Sequence, residues 1–126
     1  MFFFGQYEHT IDAKQRLAIP ADLRDVLDES THGAAFIAGP GLNGQLWLWP
    51  ERTFAAYAES LPTDPLGDED LLAYEQWLFS QSQRCPIDSA GRVRIPERLL
   101  ERYELSRNVM VLGVKEHLEV IDVVRW

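Results

Sequence analysis

The chain has one cysteine, Cys85, in 126 residues. A disulfide needs two, so no internal disulfide framework holds this fold, and a lone thiol suits a reducing compartment. There is no apolar run near the roughly 20 residues of a helical membrane span. Met1-Phe-Phe-Phe-Gly5 is apolar but short, with no basic run before it, unlike a secretory leader. Histidines are scarce: His9, His32 and His117 lie far from one another and from Cys85, without the short ligand pairs of a metal site. Nothing beside Cys85 marks it as a nucleophile. Gly39, Gly41 and Gly44 fall between two apolar runs, not ahead of a helix, so they do not read as a phosphate loop. The reading is therefore no enzyme, no cofactor, no metal, no small-molecule substrate and no membrane.

Basic charge is also in short supply. The chain holds 12 Lys and Arg against 20 Asp and Glu, a net charge of -8. A generic nucleic-acid binder is usually basic. The acidity is uneven, however. Residues 51–83 contain Arg52 alone against seven carboxylates, while residues 84–126 are close to balance. A local basic patch on either outer segment stays open, because a phosphate meets the local field rather than the net charge.

What the chain does have is a repeat. Asp12-Ala-Lys-Gln-Arg-Leu-Ala-Ile-Pro20 returns as Asp88-Ser-Ala-Gly-Arg-Val-Arg-Ile-Pro96, 76 positions later (12 to 88), and Leu23 has its counterpart in Leu99. Each copy reads as a turn between two extended segments. The aspartate opens the turn by accepting from amides two residues on. Gly91 suits a positive φ; Gln15 stands in its place in the first copy, at a cost of roughly 1 kcal/mol if φ is positive. Arg16 and Arg92 begin the return strand and can reach their own aspartates. Ile19 and Ile95 point inward, and Pro20 and Pro96 open helices.

Around the repeat the pattern predicts strands at Phe4–Ile11, Arg16–Ile19, Ala34–Ala38 and Leu46–Trp49, with one helix from Pro20 to the Ser30–Gly33 stretch. The middle predicts two amphipathic helices, the first from Pro50 and the second after Asp68, Glu69 and Asp70, broken at Leu61-Pro-Thr-Asp-Pro65. The second half repeats the first, with strands at Arg84–Asp88, Arg92–Ile95, Val109–Gly113 and Leu118–Val123 and a helix at Glu97–Tyr103. Pro86 suggests an edge strand. The division is 1–50, a first half; 51–83, a helical connector; and 84–126, a second half. Trp47 and Trp49 share one strand face opposite Leu46 and Leu48, so one face meets the core and the other a helix or a neighbouring subunit.

The two Asp-x-x-x-Arg…Ile-Pro motifs, with the opening Met1-Phe-Phe-Phe-Gly-Gln-Tyr-Glu-His-Thr-Ile-Asp-Ala-Lys-Gln-Arg16, resemble the MraZ family over nearly the whole chain. Gln15 departs from that family's usual turn glycine, and many relatives continue into a helical tail beyond the position of Trp126. The resemblance implies an α+β fold: a double AbrB-like swapped-hairpin β-barrel with both halves in one chain and flanking helices. It implies a cytoplasmic, nucleoid-associated regulator that binds double-stranded DNA, at the promoter of its own division and cell-wall gene cluster. It also implies a ring-like homo-oligomer that meets short direct repeats.

The DNA-binding residues it carries over are Asp12, Lys14, Arg16, Asp88 and Arg92. Arg94 joins them because strand alternation puts it on one face with Arg92, and a two-stranded ribbon can enter a major groove. The plainer reading of Arg16 and Arg92 is that they hold the turns by pairing with Asp12 and Asp88. The two roles are compatible, since a guanidinium has five donors. Arg98, Arg102 and Arg107 interleave with Glu97, Glu101 and Glu104 and read as a solvated helix face. A structural module or an antitoxin-like partner without DNA binding is the alternative; an antitoxin would be expected to carry a long tail for its toxin.

Overall fold

The structure, a computed structural model, describes residues 2–62 and 67–126. The first half runs β1 (Gln6–Thr10), β2 (Arg16–Ala18), α1 (Ala21–Arg24), α2 (Glu29–His32), β3 (Ala35–Pro40) and β4 (Leu46–Pro50). Two longer helices follow, α3 (Glu51–Ser60) and α4 (Glu69–Gln81). The second half is β5 (Gln83–Pro86), β6 (Arg92–Arg94), α5 (Glu97–Arg102), β7 (Asn108–Val114) and β8 (His117–Asp122). The fold is mixed α and β with antiparallel sheets. Residues 63–66 of the expected proline break lie outside the described residues.

The halves interleave. Six strands form one antiparallel sheet in the order β1-β7-β8-β4-β3-β5. The first strand of each half pairs with the third strand of the other, Tyr7 opposite Val111 and Phe36 opposite Cys85. The fourth strands meet in the centre, Leu48 opposite Leu118. β5 is an edge strand, as Pro86 requires. The second strands leave the sheet and pair with each other as a two-stranded ribbon. Isolated bridges, Ile11 to Leu17 and Ile87 to Val93, tie this ribbon to the residues just after β1 and β5. The expected double barrel is not closed among the described strands: the six-stranded sheet and the two-stranded ribbon are separate ladders.

The core lies between ribbon, sheet and the short helices. Leu17, Val93, Ile95, Leu99, Phe36, Leu48, Val111 and Leu118 are fully buried there. Both halves contribute equally, so neither has a core of its own. The expected single helix after Pro20 is two one-turn pieces instead. Asp28 caps the second: its carboxylate accepts from the Ser30 amide at 3.2 Å and the Thr31 hydroxyl at 3.1 Å, an alternative to continued helix.

The second face of β4 is covered by the chain's own helices. Trp49 stacks on Tyr57 of α3 at 5.9 Å, and Phe54 meets Phe79 of α4 at 5.5 Å. Trp47 lies flat on His117 at 3.8 Å. His117 Nε2 is 2.9 Å from Glu119, which also accepts from Asn43 at 3.0 Å. This buried polar group is satisfied internally, as most buried polar groups are.

Candidate nucleic-acid interface

The two motif turns have one geometry. Asp12 Oδ1 accepts from the amides of Lys14 and Arg16, both at 2.9 Å, and Oδ2 from Arg16 Nε at 2.8 Å. Asp88 repeats this with the amides of Ala90 and Arg92 and with Arg92 Nε, all at 2.9 Å. The Gln15 amide donates to the Asp12 carbonyl and the Gly91 amide to the Asp88 carbonyl, both at 3.0 Å. φ is +66° at Gln15 and +76° at Gly91, so the first turn holds a side chain where the backbone favours none. The Arg16 and Arg92 backbone amides are the largest of several hydrogen bonds that hold the two carboxyls below the usual aspartate range.

The turns are locked together across the molecule. The Ile19 amide donates to the Gly91 carbonyl at 3.0 Å, and the Ile95 amide to the Gln15 carbonyl at 2.9 Å. His9 Nδ1 donates to the Ala18 carbonyl at 2.8 Å, which fastens β1 to the ribbon. Each tip is therefore anchored by both halves.

The ribbon has an inner and an outer face. Leu17 and Val93 oppose each other on the inner face, both fully buried. The outer face pairs Arg16 with Arg94 and Ala18 with Arg92. All three arginines therefore share one surface, and exposed Lys14 stands at the first tip beside them. Ala13, Lys14, Gln15, Arg16 and Arg94 line a shallow groove of about 340 Å³.

Within the described residues, Arg16 and Arg92 spend Nε on their aspartates, and their terminal nitrogens have no protein partner. Lys14 and Arg94 make no ion pair there. Like charges directly opposite across a ribbon, as Arg16 and Arg94 are, disfavour it by a fraction of a kcal/mol unless an anion joins them. The surface offers a polyanion several donors that are unpaired among the described residues.

Sequence reasoning overlooked one neighbour, Arg24 at the end of α1. It donates from Nη1 to the Ala90 carbonyl at 3.3 Å, across the second tip. No linear pattern joins residues 24 and 90; only the interleaved fold does. Cys85 is buried and its thiol is pushed up to about 11 by that burial, which leaves it unreactive.

The family model described as "MraZ protein, putative antitoxin-like" matches residues 2–70 and 78–126. The chain is 35% identical to a "Transcriptional regulator MraZ" of Heliobacterium modesticaldum, over 98% of this chain and 83% of that protein. It is 37% identical to one of Limosilactobacillus reuteri over 97% and 82% of the two chains. One of Lactiplantibacillus plantarum is 32% identical over 98% and 84%. The duplicated turn, the interleaved halves and these matches agree: the chain belongs to the MraZ family.

Proposed function

We propose that this chain is a transcriptional regulator that binds DNA in a sequence-specific way through its two motif tips. The relatives are named transcriptional regulators. The observation that carries the DNA-binding part is the outer face of the ribbon. Arg16 and Arg94 oppose each other there, with Arg92 and Lys14 alongside. Asp12 and Asp88 orient Arg16 and Arg92 by Nε and leave the terminal nitrogens to reach phosphate or a guanine edge. The exchange of first strands between halves supports the AbrB-like swapped-hairpin arrangement. In this reading the protein acts in the cytoplasm at the nucleoid, on a promoter with short direct repeats, as a ring-like homo-oligomer and without catalysis. The family resemblance points to its own division and cell-wall gene cluster.

The test is a titration against the DNA upstream of the gene at several salt concentrations. Steep loss of affinity with salt and preference over scrambled DNA are expected. A flat salt response without preference would favour the second reading, a partner-binding module, which the antitoxin-like description of the family model supports.

A further inference from the structure

The two tips share a backbone but not their charges. The first carries Lys14; its counterpart in the second, 76 positions on, is Ala90. The second tip, Ser89-Ala90-Gly91, has no cation of its own before Arg92. Arg24 comes to this place from the other half. Its guanidinium donates to the carbonyl of Ala90, the residue that replaces the lysine. Its side chain lies over Gly91, where an added Cβ would stand 2.5 Å from Arg24 Cδ. The counterpart of Arg24 in the second half is Leu100, which packs against the core and brings no charge to the first tip. The cation is thus present once at each tip, from the turn itself in one and from the opposite helix in the other.

We propose that Arg24 is a DNA-contacting residue of the second tip and stands in for the lysine that this turn lacks. The inference rests on the proposed reading of the tips as the DNA-binding surface. Arg24 is exposed, and the one side-chain hydrogen bond it makes among the described residues is long at 3.3 Å, so most of its guanidinium donors stay available. Among the described residues it makes no ion pair. Two carboxylates line the adjoining groove, Glu29 and Asp88, and Asp88 is already occupied by Arg92. Gly91 gains a second reason here: it leaves room for Arg24 to cross the turn. Each subunit then presents two matched pairs, Arg16 with Lys14 and Arg92 with Arg24, with Arg94 opposite Arg16 beside the first.

The test is fluorescence anisotropy of a labelled duplex from the upstream region, at several salt concentrations, with the full chain. Arg24→Ala should weaken binding to matched and scrambled duplexes alike, by about tenfold, and lower the salt slope by about one per engaged tip. Adding Ala90→Lys to Arg24→Ala should restore both, because it rebuilds the first tip's arrangement in the second. Thermal melts of each variant separate folding from binding. Unchanged affinity and slope in Arg24→Ala, with Arg16→Ala weakened, would overturn the assignment and leave the tips as the DNA surface. A loss with unchanged slope that lysine at position 90 does not rescue would also overturn it, since Arg24 would then only brace the turn. If neither Arg16→Ala nor Arg24→Ala alters binding, the tip reading fails together with this one.

Discussion

At the scale of single residues, each tip is an aspartate that organises its own turn. One oxygen of Asp12 or Asp88 takes two amides and the other takes a guanidinium, so the arginine is held in place by its own turn. Removing Arg16 should then cost affinity rather than stability: Arg16→Ala should weaken specific binding by about 1–3 kcal/mol if it meets a base. Unchanged affinity in a folded variant would refute that contact. Position 15 predicts the reverse trade. Gln15 at φ +66° is strained, so Gln15→Gly should be neutral or raise stability by up to about 1 kcal/mol. Gly91→Gln should lower it by at least about 1 kcal/mol, since it adds the same strain and displaces Arg24. Denaturant melts of the two variants check both signs.

The same aspartates fix a pH response. Their folded-state pKa values lie below the unfolded ones, mainly through the Arg16 and Arg92 amides. Such a group adds stability above its unfolded pKa and loses it as pH falls through the folded one. Melting temperature should therefore fall below about pH 4, the ordinary aspartate range. The double variant Asp12→Asn with Asp88→Asn should fall less steeply there. An equally steep fall would assign the acid response to Asp28, Glu51 and Asp122, whose carboxyls are lowered as well.

At the scale of elements, the ribbon is short and depends on what lies beneath it. β2 and β6 are three residues each, too few to persist alone. Leu17 and Val93 pin them to the core. Leu17→Ala should cost about 2–5 kcal/mol in chemical denaturation, the range for truncating a buried leucine. It should also weaken DNA binding near its midpoint, because both tips ride on this ribbon. The strands and the two long helices were legible in the sequence, since alternation and the Pro50 and Asp68 boundaries mark them. The break between α1 and α2 was not. Leu23, Val26 and Leu27 keep helical spacing, but Asp28 offers the next amides a side-chain acceptor instead.

At the scale of the molecule, a chain of charge -8 would repel a polyanion except at the small basic face of the proposed reading. Several such faces on one scaffold can raise affinity by about 10²–10⁴ through effective concentration alone. Light scattering should show a closed homo-oligomer at micromolar concentration; a monomer would rule it out. α3 packs on Trp49, so part of the Trp47 and Trp49 face is taken up within the chain. Apolar area open to a second copy includes Phe2, Phe4, Leu42 and Phe79, all exposed. A head-to-tail contact closes into a ring only if its rotation closes. Footprinting should then reveal several protected repeats about one helical turn apart. One isolated element, bound as tightly as the whole promoter, would remove the reason for many tips.

The duplication, the turn chemistry and the pairing of each arginine with its aspartate are legible in the order of residues alone. These are local: the partners lie four residues apart, and hydrogen bonding within a turn needs no distant help. How the halves combine depends on contacts between residues far apart in the chain. First strands could have paired within their own half; exchange places β1 against β7 and β5 against β3, so one core serves both. That exchange sets Arg94 opposite Arg16 and lays Arg24 over Ala90. Strand alternation put Arg94 on a face with Arg92, but nothing in the linear pattern relates residue 16 to 94 or 24 to 90. The register comes from burying Leu17 and Val93 together, a contact between halves that exists only once the chain has folded.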